Sequence, residues 1–377
     1  MGITEAAVSR RGALAVGAGA VIGGLGLSET AQAAPDREPA RLSRAQRAGQ
    51  RVIFSYPGLT PPASLLAAIS AGEAGGVIFF GENITSLTQI AAVITQLNAA
   101  HAASPVRSPL LLMTDQEGGL VRRLPGEPTL SEKQVGASAD PAAAAASAGT
   151  GAGQNLAGVG MNLNLAPVLD VYRQAGDFDD QFGRSYSSDP HVAAECGSAF
   201  VTAQQKLRIA ATAKHFPGLG AATAAQNTDL GPVTLDVPLD DLRSIDELPF
   251  RSAIAAGVRL VMASWAVYPA LDARLPSGLS PAIISGELRR RLRFRGVTIT
   301  DALEAGAIAS FGTPAGCGVL AARAGMDLLL CSARDVSEGQ DTVAALADAL
   351  SHHRLDPGQF EEALGRVLAL RRSLGRT

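Results

Sequence analysis

Three acids and a lysine–histidine pair stand at the ends of apolar runs. Gly296-Val-Thr-Ile-Thr-Asp-Ala-Leu303 brings a β-branched stretch to Asp301, Pro109 to Asp115 ends on Asp115, Met161 to Asp170 on Asp170, and Ile209 to His215 on Lys214-His215. Carboxylates, an ammonium and an imidazole delivered in this way suit acid–base and nucleophilic chemistry. A buried strand that ends on one acid is how a (β/α)8 barrel presents a catalytic group at its C-terminal rim. The five histidines include no pair at ligand spacing beside carboxylates, and Cys196, Cys317 and Cys331 match no zinc pattern. No metal and no cofactor are therefore expected.

Such residues need strands to carry them. Eight apolar runs recur along the chain: Val52 to Phe54, Gly76 to Phe80, Leu110 to Thr114, Asn162 to Leu165, Ile209 to Ala213, Leu260 to Ala263, Val297 to Thr300 and Asp327 to Cys331. Between them lie helical patterns, as in Leu87, Ile90, Ile94 and Leu97, and near the end Phe360, Leu364, Val367 and Leu368. Alternating strand and helix argue for a parallel sheet, and eight units argue for an α/β single-domain (β/α)8 barrel over residues 41–377. A doubly wound sheet would offer fewer strands and a glycine-rich phosphate turn near the start. The glycines at 149, 151 and 153 fall instead in an alanine-rich helical region.

Composition narrows the class. With 377 residues, 47% hydrophobic and 18% charged, the chain can bury a large core. A net charge of -3 gives no basic excess and 4% aromatics give few stacking platforms, so no nucleic-acid partner is expected. At the N-terminus, Ser9-Arg10-Arg11 precedes a weakly apolar run to Leu27 and then Ala31-Gln32-Ala33. This pattern resembles a twin-arginine export signal over residues 1–33, followed by a linker at 34–40. The run is too short to span a bilayer and no nearby cysteine could carry a lipid, so export without a stable membrane anchor is expected, to the wall or the medium. The cysteines are read as buried thiols, with a Cys317–Cys331 disulfide as the alternative.

Four segments together resemble glycoside hydrolase family 3, and within it the single-domain bacterial β-N-acetylglucosaminidases. They are Asp115-Gln-Glu-Gly-Gly-Leu-Val-Arg-Arg-Leu124, Asn164 to Asp170 with Gly183-Arg-Ser-Tyr186, Lys214-His-Phe-Pro-Gly218, and Gly296 to Leu303, in order across roughly residues 45–375. The resemblance implies a carbohydrate substrate, Asp301 as nucleophile, and Asp115, Arg184, Lys214 and His215 on the hydroxyls of the terminal sugar. A carboxylate beneath the anomeric carbon stabilises an oxocarbenium-like transition state and can capture it as a glycosyl ester. Read without the family, Asp301 is also a candidate helix cap, Glu117 a group satisfying turn amides, and Arg184 a partner for Asp170 or Asp189. Trp265, the only tryptophan, is either an apolar wall for a sugar face or a core residue.

The pattern breaks at one place. Family members continue after Lys-His-Phe-Pro-Gly to an Asp-Ser-His whose aspartate and histidine exchange the proton with the leaving group. Counting from His215, those positions fall on Ala225 and Asn227, neither of which can shuttle a proton. General acid help is worth roughly 10² to 10⁴ in rate, so its loss leaves three explanations: another residue supplies the proton, the natural leaving group needs none, or the barrel binds glycans silently. Asp229 is the first substitute, with Glu117 and Glu304 behind it; its other reading is an Asx turn with Asn227. Phosphorolysis is a weaker alternative.

Overall fold

The computed structural model describes residues 41–375, so the expected export segment and linker lie outside the described residues. Eight strands close into a barrel: β1 (Val52–Phe54), β2 (Gly76–Ile78), β3 (Leu111–Thr114), β4 (Leu163–Asn164), β5 (Ala210–Phe216), β6 (Leu260–Ala263), β7 (Val297–Ala302) and β8 (Leu328–Leu330). Each pairs in parallel with the next, and β8 returns to β1 through Val52 opposite Leu329 and Ile53 opposite Leu330. These are the eight runs expected from the sequence. The differences lie at the ends: β5 continues through Lys214 and His215 to Phe216, and β7 continues past Thr300 to Ala302.

Both faces of each strand are apolar because both are covered. Side chains alternate with a period of two. Ile53, Leu111, Met113, Leu163, Leu260, Met262, Val297, Ile299 and Leu328 fill the barrel interior, while Val52, Phe54, Val77, Leu112 and Val261 join the larger cluster under the surrounding helices. The helix Leu87–Ala102 is capped by Ser86, whose side chain accepts from the Gln89 amide, and buries Ile90, Ile94 and Leu97. Leu87 remains exposed at its first turn. The last helix, Pro357–Leu374, buries the expected Phe360, Leu364, Val367 and Leu368, and adds Val367, Leu370 and Leu374 to the interior cluster.

The glycine cluster serves packing. Gly149 lies in the helix Pro141–Val159, where an added Cβ would come within 2.4 Å of the Phe200 carbonyl oxygen on the helix Pro190–Gln205. Asp327, just ahead of β8, accepts from Arg289 at 2.5 Å and Arg366 at 2.9 Å, which fixes charge beside the strand starts, away from the rim that carries the acids. Cys196, Cys317 and Cys331 are buried free thiols, so Cys317 and Cys331 form no disulfide. Among the described residues no helix is long and apolar enough to cross a membrane.

Candidate active site

A cavity of about 440 Å³ opens at the C-terminal ends of the strands. Its floor is the top layer of barrel side chains, including Ile78, Leu165, Met262 and Leu330. Strand periodicity then decides what stands on that floor. Asp115 follows Met113 by two residues, Lys214 follows Thr212, Asp301 follows Ile299 and Ser332 follows Leu330, so all four project toward the cavity. Asp301 lies inside β7 and no helix begins there, so it is not a helix cap; one of its oxygens, Oδ1, accepts from the Ala302 amide at 2.8 Å.

One wall is a buried charge network. Lys214 Nζ donates to Asp115 Oδ1 at 2.8 Å and to Glu117 Oε1 at 2.6 Å. Arg184 grips Glu117 with two bonds, Nε to Oε2 at 2.8 Å and Nη2 to Oε1 at 2.9 Å, and reaches Asp179 Oδ1 through Nη1 at 2.6 Å. Arg184 thus pairs with neither Asp170 nor Asp189; Asp189 caps the helix Pro190–Gln205. Burial alone would raise the Glu117 carboxyl, but Arg184 and Lys214 hold it down at about 2. Glu117 does not satisfy turn amides, as its sequence context suggests; it anchors both cations, and so low a value disqualifies it as a proton donor near neutrality. Lys214 is shifted the other way, upward, burial being outweighed by Asp115 and Glu117.

His215 faces the same cavity from a different support. The Lys214–His215 peptide bond is cis, and both side chains line the cavity. His215 Nδ1 lies 2.7 Å from Asp170 Oδ2, and Asp170 also accepts the Leu219 amide at 2.5 Å. Burial lowers the imidazole, but Asp170 reverses this and the net shift is upward. Asp179, pushed up to about 6 by burial, completes a group with Asp170 and His215 whose ligand-type atoms lie within 4.8 Å of one another. Asp170 is committed there to the imidazole and to amides, and Asp179 gives one oxygen to Arg184; its Oδ2 alone has no partner.

The opposite wall carries the remaining acids, Asp301, Asp229 and Glu304. The loop bearing Asp229 is pinned to the turn after β7: Gly306 N donates to the Asp229 carbonyl at 2.9 Å and Ala307 N to that of Thr228 at 3.0 Å. Asn227 Oδ1 accepts the Asp229 amide at 2.8 Å, so the Asx turn exists, and it leaves the Asp229 carboxyl free to face the cavity. Partial burial and then the charge of Asp301 push that carboxyl upward. Glu304 accepts from Ser332 Oγ at 2.8 Å. Ala225 and Asn227 are not among the cavity's lining residues.

Two positions depart from the sequence reading. Trp265 is 1% exposed, packs against Gly278 and donates its indole N–H to the Ala302 carbonyl at 2.7 Å. It braces the strand end that bears Asp301 and is not part of the cavity wall, so the core reading replaces the sugar platform. Arg123 lines the cavity with a buried Nε that has no hydrogen-bond partner. Its place in the Asp115 to Leu124 segment was the one signal for it, and that signal did not separate Arg123 from Arg122.

Comparison with known proteins agrees with this geometry. Residues 54–370 match the glycosyl hydrolase family 3 N terminal domain. The chain is 47% identical over 335 residues to an uncharacterized secreted glycosyl hydrolase of Arthroderma benhamiae, covering 88% of this chain and 94% of that one. It is 35% identical to a beta-hexosaminidase of Xylella fastidiosa, over 78% and 87% of the two chains. Among solved structures, a beta-N-acetylhexosaminidase from Beutenbergia cavernae superposes with a TM-score of 0.79 at 35% identity, over 88% of this chain and 99% of that one. A family 3 beta-N-acetylglucosaminidase from Paenibacillus superposes at 0.83 with 33% identity, over 89% of this chain; there the present chain spans 64% of its counterpart.

Proposed function

Because the chain belongs to glycosyl hydrolase family 3, we propose that it is an exported retaining β-glycosidase of the β-N-acetylglucosaminidase type, acting on terminal β-linked sugars of glycans or cell-wall fragments. The observation that carries this reading is Asp301 at the end of β7, in one cavity with the Asp115–Lys214–Glu117–Arg184 network. Asp115, Arg184, Lys214 and His215 hold the hydroxyls of the terminal sugar, with Arg123 beside them. Asp301 attacks the anomeric carbon as the bond to the leaving oxygen breaks, giving a glycosyl ester. Asp229, raised by partial burial and by Asp301, gives its proton to the departing oxygen. It then takes a proton from water as that water attacks the anomeric carbon, which frees the sugar with retained configuration and restores both acids. No cofactor enters the scheme.

Export rests on the Ser9-Arg10-Arg11 pattern and the Ala31-Gln32-Ala33 site, and the Arthroderma relative is named as secreted. The test is hydrolysis of nitrophenyl β-N-acetylglucosaminide by the purified protein beside Asp301→Asn. Turnover lost with the substitution is the expected result. A protein that binds the sugar but turns over neither form would instead be a silent glycan binder, the reading favoured by Ala225 and Asn227.

A further inference from the structure

Among the described residues six large apolar side chains are exposed: Leu59, Leu87, Leu120, Leu130, Phe182 and Leu230. All six sit on the connections that follow β1 to β5, Leu87 at the first turn of its helix, and so at the end of the barrel where the cavity opens. Apolar residues scattered over a surface require no explanation, but confinement to the rim around a site does.

Four of them are tied to the cavity by neighbours. Leu120 is the tip of the hairpin Gln116–Gly118/Val121–Arg122, and Val121 lines the cavity. Leu130 lies against that hairpin: an added Cβ at Gly118 would meet its carbonyl oxygen at 2.2 Å. Phe182 packs edge-on against Phe178, a cavity residue, with ring centroids 5.9 Å apart. Leu230, 82% exposed, follows Asp229 directly, and its backbone lies against Gly306. The backbone bonds from Gly306 and Ala307 fix that loop, so little freedom remains to be lost when Leu230 is covered.

We propose that this apolar rim receives the aglycone, and that among terminal β-linked sugars the preferred substrates are those whose leaving group carries an apolar alkyl or aryl portion. The inference rests on the glycosidase reading above and adds the leaving-group class to it. Two observations converge here. None of the six lines the cavity itself; outside its polar lining of Arg123, Glu304, Ser332 and Arg334, the surface that an aglycone reaches exposes leucine and phenylalanine. The group that leaves also departs beside its proton donor, Asp229, which lines the cavity and is followed directly by the exposed Leu230.

The test must separate contact from leaving-group acidity. Phenyl and 4-butylphenyl β-N-acetylglucosaminides serve, because their phenols differ little in acidity and by four methylenes in apolar surface. The full-length protein should favour the butylphenyl glycoside in kcat/KM by about tenfold or more, a fraction of what full burial of that chain would give. In Leu120→Ser and Leu230→Ser, whose side chains are exposed and leave the core intact, that ratio should fall toward one. A wild-type ratio near one with clear turnover of both overturns the proposal and leaves the glycosidase reading standing. No turnover of these or of the nitrophenyl glycoside overturns both. A preserved ratio in both variants with a changed oligomeric state in sedimentation overturns the proposal in favour of a contact between copies.

Discussion

Glu117 and Arg184 meet through two parallel bonds of 2.8 and 2.9 Å, with Glu117 buried and Arg184 lining the cavity. The second Glu117 contact, to Lys214, makes this one carboxylate the common support of two cations that line the cavity. Its ionised state is a consequence of those cations, and their positions are a consequence of it.

Glu117→Gln should therefore act at a distance from the chemistry. Removing one partner from a buried pair typically costs about 3–5 kcal/mol, readable as a shift in the urea midpoint. Both cations lose their shared anchor, so kcat/KM should fall by about 10² through misplacement of the sugar. The pH dependence has a definite sign: a carboxyl held at about 2, against an ordinary 4.5, contributes stability above pH 4.5 that is lost as pH drops toward 2. That acid-side loss should shrink in the variant. A wild-type-like urea midpoint would contradict the anchoring role.

Asp229 supplies a sharper test of the proton path. As general acid it must be protonated, so its raised pKa sets the alkaline limb of kcat/KM. In Asp229→Asn that limb should disappear, and cleavage of a β-linked disaccharide should slow by about 10² or more while a nitrophenyl glycoside slows far less. Equal losses on both substrates, with the alkaline limb retained, would assign the proton to another group.

The barrel was readable in the sequence because each strand is buried on both faces, which writes itself as a short apolar run between turn residues. The charged rim residues were readable for the same reason: Asp115, Lys214 and Asp301 are the first charged residues on the inward parity of their strands. What the chain does not spell out is pairing across long separations. Glu117 and Arg184 are 67 residues apart, and nothing local to either marks the other. As ion-pair partners for Arg184 the sequence offers Asp170 or Asp189, whereas Asp179, five residues before it, is its second partner. Trp265 stays open between wall and core in the sequence because position after a strand does not reveal whether a ring turns to the cavity or beneath it. Its bond to the Ala302 carbonyl settles that only in three dimensions.

Asp246 gives a prediction about stability that is independent of turnover. It is fully buried behind the turn that follows Lys214 and His215, where an added Cβ at Gly218 would meet its Cβ at 2.6 Å. Arg173 donates to Oδ2 at 2.5 Å, while Oδ1 has no partner. Burial outweighs Arg173 and pushes the carboxyl up to about 7, from an ordinary 3.8. Between those values the folded protein keeps a proton that the unfolded chain has released, so stability must fall as pH rises from about 4 to about 7. The full swing is on the order of 4 kcal/mol. Asp179, at about 6, and Glu338, at about 8, slope the same way, so Asp246→Asn should reduce the decline and not abolish it. Urea midpoints at pH 5 and pH 8 measure this directly: the gap between them should narrow in the variant, and an undiminished gap would mean that Asp246 stays ionised in the fold.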